Sequence, residues 1–172
     1  QLSSIFEQHL YDLKTKNFNL GSVLVFSGGE TEPELQSIRK IYPDTLISFF
    51  GIEGPQVTFF DLNQRNDCNR EFDFVLCNQV IEHLLNHSVA FDNLTSLVKK
   101  EGYIWITLPF INIPHGEPTS YISGASPLYI ERNLLERGIR SISKGNFGTK
   151  RYYISSLRSE EHTSELPVTP IS

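Results

Sequence analysis

Two continuous apolar runs, Phe72–Cys77 and Tyr103–Leu108, constrain this chain more than any other feature. A run that is apolar at nearly every position does not suit a strand with one wet face, so each reads as a strand buried on both faces of a parallel sheet. Parallel neighbours need a crossover, and the intervening residues supply one. Gln79–Leu85 reads as helical, and Val89, Phe91, Leu94, Leu97 and Val98 mark a second helical stretch. Lys99 and Lys100 suit the negative end of that helix, and Gly102 suits the position after it. Pro109 ends the second strand.

The same alternation runs through the rest of the chain. Ser3–Leu13 carries Ile5, Phe6, Leu10 and Leu13 at helical spacing, with Ser3 or Ser4 as cap. Ser22–Ser27 is another apolar run, closed by Gly28 and Gly29. Thr31 is placed to cap the next helix, with Pro33 in its first turn and Leu35, Ile38 and Ile41 on one face. Strands follow at Thr45–Phe50 and Val57–Phe60, around the turn Glu53-Gly54-Pro55, and Asp61–Glu71 is polar and loop-like. A helix over Pro127–Arg137 and two short strands, Ile139–Ser143 and Arg151–Ser155, complete the pattern. Seven strands alternating with helices predict one α/β domain: a doubly wound, mostly parallel sheet with helices on both faces.

Composition narrows the partners. The net charge is −5 and no basic run is present, which disfavours nucleic acid as an obligate partner. No apolar run is long enough to span a bilayer, so no membrane partner is expected. Cys68 and Cys77 lie nine positions apart with no second pair, which reads as free thiols in a reducing, cytoplasmic setting, with no metal site. The chain begins at Gln1 and contains no methionine, so residues 1–157 are expected to be an N-terminally incomplete domain. Residues 158–172 lack apolar periodicity, and Arg158–Leu166 resembles the conceptual translation of a sequencing-library adapter. Oligomeric state is not written in the sequence.

In an open parallel sheet, ligands bind beyond the carboxyl ends of the strands, so the loops after Ser27, Phe50, Phe60, Cys77 and Leu108 are the candidate site. Ser27-Gly28-Gly29-Glu30-Thr31 offers glycines and a following helix N-terminus, although the third glycine of the dinucleotide fingerprint is lacking. The block Phe72-Asp73-Phe74-Val75-Leu76-Cys77-Asn78-Gln79-Val80-Ile81-Glu82-His83-Leu84, followed by Val98–Pro109, resembles the class I S-adenosylmethionine-dependent methyltransferases. The resemblance extends over about residues 20–157 and thins upstream. Val23–Thr31 looks like the family's first cofactor-binding motif, but Val25, Ser27 and Thr31 stand where that motif has an acidic residue and two glycines.

The resemblance implies S-adenosylmethionine as cofactor, bound by Gly28, Gly29, Glu53, Asp61, Leu62, Asn78 and Gln79. Asp61-Leu62-Asn63 matches the segment after the third strand whose aspartate faces adenine, and Glu53 is the candidate ribose ligand. The distance from Glu53 to Asp61 is too short for the usual intervening helix. Either that helix has shrunk to the Gly54-Pro55 turn, or Asp61 itself holds the ribose. The activity implied is methyl transfer to a small-molecule, sugar or lipid acceptor, with His115 and His83 as candidate catalytic bases. Alternatives are a catalytically inactive binding or scaffold protein of the same fold, or another nucleotide-binding α/β enzyme.

Overall fold

The computed structural model describes residues 2–26, 29–54, 56–109, 121–122, 124–147 and 151–157. The chain alternates helix and strand: α1 (Leu2–Thr15), β1 (Ser22–Phe26), α2 (Pro33–Ile41), β2 (Leu46–Gly51), β3 (Val57–Phe59), β4 (Phe72–Asn78), α3 (His87–Ser96), β5 (Val98–Pro109), α4 (Pro127–Leu135), β6 (Arg140–Phe147) and β7 (Arg151–Leu157). The sheet order is β3-β2-β1-β4-β5-β7-β6. The first five strands in that order are parallel, and β7 runs antiparallel between β5 and β6. This is the doubly wound, mostly parallel sheet the apolar runs predict.

Strand alternation sorts the core into two layers. Val23, Val25, Phe74, Leu76 and Trp105 point to one face, where they meet Phe6, Leu10, Leu35 and Ile38 from α1 and α2. Leu24, Val75, Cys77, Ile104 and Ile106 point to the other, against Phe91 and Leu94 of α3 and Ile130 and Leu134 of α4. Successive side chains on a strand face opposite ways, so an apolar run covered by helices on both sides is buried throughout.

Five local readings are corrected. Gln79–Leu85 forms no helix; only a 3₁₀ turn, Ile81–His83, lies there. Leu84 is extended at ψ 142°, and Asn86 starts α3 by accepting from the Val89 N–H at 3.3 Å. Lys99 and Lys100 belong to β5 rather than to a helix end, because pairing begins at Phe72↔Val98. Gly102 is therefore no helix cap. It lies in β5 where a Cβ would come within 2.8 Å of Val98 Cγ2 and 3.0 Å of the Asp73 and Lys99 carbonyl oxygens. The N-cap of α2 is Glu32, not Thr31, and it makes no side-chain capping bond; Ser3 and Ser4 lie within α1.

The β2–β3 connection is only residues 52–56, and no helix forms among its described residues. So short a link between parallel strands is uncommon, and its backbone shows why it closes: Gly54 has φ 128° and Gln56 has φ 65°. The Phe60 N–H then donates to the Gly51 carbonyl at 2.8 Å. Behind this corner Phe26, Phe50 and Phe60 form an aromatic cluster, with Phe50 and Phe60 stacked at 5.3 Å.

Candidate functional site

The sheet order reverses between β1 and β4, whose chains leave in opposite directions, so a crevice opens at their carboxyl ends. Phe26 pairs with Cys77 at that edge. Beyond them lie Gly29 on one side and Asn78-Gln79 on the other.

Asn78 and Gln79 are brought together by a residue that the sequence does not single out. Thr107, 1% exposed on β5, donates its hydroxyl to Asn78 Oδ1 at 3.0 Å and accepts from Gln79 Nε2 at 3.3 Å. Its carbonyl also receives the Gln79 N–H at 2.8 Å. Gln79 has φ 53°, a left-handed conformation that a residue with a Cβ adopts at a cost. This hydrogen-bonded turn takes the chain off β4 at the switch point. The signal in the sequence was a small hydroxyl residue, Thr107, near the end of the apolar run Tyr103–Leu108.

Beyond the turn, Glu82 is fully buried and His83 half-buried. The His83 N–H donates to the Val80 carbonyl at 3.0 Å, closing the 3₁₀ turn. The Glu82 carbonyl receives the N–H groups of Tyr121, at 2.7 Å, and Ile122, at 3.3 Å, which fastens the segment leading into α4 to this turn. Burial first, and then the charge of Glu82, push the Cys77 thiol far above its ordinary value. A thiol so held is not a nucleophile at neutral pH.

The Asp61–Gln64 turn is the second ordered element of this edge. Asp61 Oδ1 accepts from the Asn63 N–H at 2.8 Å and Oδ2 from Gln64 Nε2 at 2.9 Å. A carboxylate has about four acceptor positions, so these bonds leave Asp61 capacity for a ligand. Leu62 is 3% exposed and packs into the aromatic side of the core. Asn63 Oδ1 accepts from the Leu85 and Asn86 N–H groups at 2.8 and 3.1 Å. The loop after β3 is thus tied to the loop after β4.

Other expected site residues fall differently. Glu53 stands exposed in the β2–β3 turn, apart from these networks. Gly28 and His115 lie outside the described residues. Gly29 has no left-handed φ, and a Cβ added there would meet none of the described residues within 4 Å. Among the described residues, neither backbone conformation nor packing requires glycine at that position. The open ground beside the switch point fits a ligand's close approach. Among the described residues, no group of three His, Cys, Asp or Glu side chains is arranged to hold a metal ion. No described helix is long and apolar enough to cross a membrane.

A family model described as "Methyltransferase domain" matches residues 13–139. None of the curated proteins matches the chain in sequence. Among solved structures, the chain is similar to the 1,6-didemethyltoxoflavin-N1-methyltransferase of Burkholderia thailandensis, solved with 1,6-didemethyltoxoflavin and S-adenosylhomocysteine. The TM-score is 0.68 at 9% identity, over 90% of this chain and 78% of that one. It is also similar to the N-methyltransferase NodS of Bradyrhizobium japonicum in complex with S-adenosylhomocysteine, at TM-score 0.60 and 11% identity, over 90% and 86% of the two chains. An O-methyltransferase family protein from Burkholderia thailandensis matches at TM-score 0.66 and 15% identity, with 94% of this chain covering 57% of that one. At these identities the likeness is one of fold.

Proposed function

The chain belongs to the methyltransferase-domain family, and from that premise we propose that it moves the methyl group of S-adenosylmethionine to a small-molecule, sugar or lipid acceptor. The observation that carries this reading is the switch point itself. Gly29 follows β1 and the left-handed, hydrogen-bonded turn at Gln79 follows β4, on the two sides of the β1–β4 reversal. Four solved structures alike in fold contain S-adenosylhomocysteine, the demethylated product of that donor.

Gly28 and Gly29 are assigned to the amino-acid end of the donor, Asn78 and Gln79 to its middle, and Asp61 and Leu62 to the adenine end. Glu53 is assigned to the ribose. The donor brings a methyl group already activated by a sulfonium, so the protein's task is alignment and exclusion of water. Asn78 and Gln79, fixed by Thr107, hold one wall in a single shape. Where the acceptor must lose a proton before attack, His115 and His83 are the side chains whose chemistry suits the task. Acceptor variety among the neighbours is wide. One is named for a toxoflavin precursor and another was solved with 1,4-dihydroxy-2-naphthoic acid.

The departures at Val25, Ser27 and Thr31 favour a second reading, a binding protein of the same fold without activity. Isothermal titration with S-adenosylmethionine and with a nicotinamide dinucleotide separates the readings. Methyl-donor binding in the micromolar range, lost in Asp61→Ala, supports the proposal. Folded protein that binds neither ligand supports the inactive reading, and dinucleotide binding alone moves the chain to another enzyme class.

A further inference from the structure

Asn93 is the one asparagine among the described residues that is buried, 4% exposed, on a helix face otherwise made of Ala90, Phe91 and Leu94. An amide in an apolar layer is costly unless its polar atoms are met, so its partners explain its presence. Asn93 Nδ2 donates to the Gln64 carbonyl at 2.7 Å and to the Leu62 carbonyl at 3.2 Å. Both carbonyls belong to the Asp61–Gln64 turn, which follows a strand of only three residues at the sheet edge. A leucine here would fill similar space but would leave the turn without these two bonds.

We infer that Asn93 is a positioning residue for the methyl-donor site, holding the Asp61–Gln64 turn in the shape that receives the nucleoside end. The turn is gripped twice: from below by Asn93, and from the side by Asn63, whose amide oxygen receives the Leu85 and Asn86 N–H groups. Asn86 in turn caps α3, the helix that carries Asn93. The loops after β3 and β4 are therefore braced through one helix. Small displacements of positioning groups weaken binding without unfolding a protein, because a ligand needs its partners at hydrogen-bond distance. The role rests on the assignment of Asp61 and Leu62 to the donor.

Titration calorimetry with S-adenosylhomocysteine and with adenosine, on wild type, Asn93→Leu, Asn93→Ser and Leu94→Val, tests it. Asn93→Leu weakens both ligands by about tenfold and by the same factor, since the damage sits at the nucleoside end. Asn93→Ser, which keeps one donor, falls between and serves should the leucine variant not fold. Leu94→Val, a neighbouring core change, lowers the melting temperature but leaves both affinities within about twofold of wild type. The inference is overturned if the Asn93 variants bind as wild type does. It is equally overturned if affinity falls in Leu94→Val in proportion to lost stability. Wild type that binds neither ligand defeats the donor assignment itself, whereas wild-type binding with unchanged Asn93 variants defeats only the role of Asn93.

Discussion

The two ends of the parallel sheet use polar side chains for opposite purposes. At the amino ends of β1 and β4, Asp73 joins strand to strand: its Oδ2 accepts from the Ser22 N–H and hydroxyl, both at 2.8 Å, and its Oδ1 receives Lys99 Nζ of β5 at 2.8 Å. At the carboxyl ends, Thr107 of β5 ties the last residue of β4, Asn78, to the turn at Gln79, and Asp61, Asn63 and Asn93 fasten loops. One end closes the sheet and the other shapes an opening. The glycines differ in the same way. Gly102 is required by the protein's own atoms, while a Cβ at Gly29 would meet none of the described residues within 4 Å.

The largest effect is expected at the closed end. Gly102→Ala places a methyl 2.8 Å from Val98 Cγ2 and 3.0 Å from two backbone oxygens. A side chain can turn away, but the Asp73 and Lys99 carbonyls are fixed in the sheet, so the strands must part. The expected loss is about 2 kcal/mol of unfolding free energy, read from urea denaturation. A loss below about 0.5 kcal/mol would mean that the two ends do not differ as described.

Asp73→Asn is expected to have a smaller, pH-dependent effect. Burial alone would raise the Asp73 carboxyl, but the hydrogen bonds from Lys99 and Ser22 and the charge of Lys99 outweigh it and hold the group below its ordinary value. A carboxyl that ionises more readily in the folded state contributes stability that is fully present above its unfolded value, near pH 4. That contribution is lost as pH falls through the lowered folded value. Wild type should exceed the variant by about 1 kcal/mol at neutral pH, and the two curves should converge below pH 4. Parallel curves would assign the difference to packing instead.

These contrasts mark what was legible in the sequence. Strands were legible because helices cover both faces of the sheet, so apolar residues fill β1 after Ser22 and β4 from Phe74 to Cys77 without a break. Trp105, inside the apolar run Tyr103–Leu108, is fully buried. The helix caps and the turn at Gln79 were not legible, since they are decided by local backbone geometry and single hydrogen bonds. Asn86 starts α3 where a helix from Gln79 was expected, and the lysines fell in β5 because pairing with β4 begins at Val98. Thr107 and Asn93 were missed for a shared reason. Each is a polar residue embedded in an apolar pattern, and periodicity reads such a position as an interruption rather than as a buried donor. Asn78, Gln79, Asp61 and Leu62 were singled out as candidates through resemblance, and their hydrogen-bond and packing partners needed the fold.

The smallest effect on stability sharpens the comparison most. Gly29→Ala adds a methyl with no neighbour within 4 Å, at a residue without a left-handed φ. Unfolding free energy should stay within about 0.5 kcal/mol of wild type, in contrast to the same substitution at Gly102. If the space beside Gly29 belongs to the methyl donor, that methyl intrudes where the ligand backs onto the chain, and affinity for S-adenosylhomocysteine should fall by roughly tenfold, or about 1.4 kcal/mol. Calorimetric titration alongside thermal unfolding reads both quantities on one sample. Unchanged stability with weakened binding would show that one glycine serves a ligand and the other the fold. Unchanged stability with unchanged binding would place the donor elsewhere along the carboxyl edge, nearer Asn78 and the Asp61 turn.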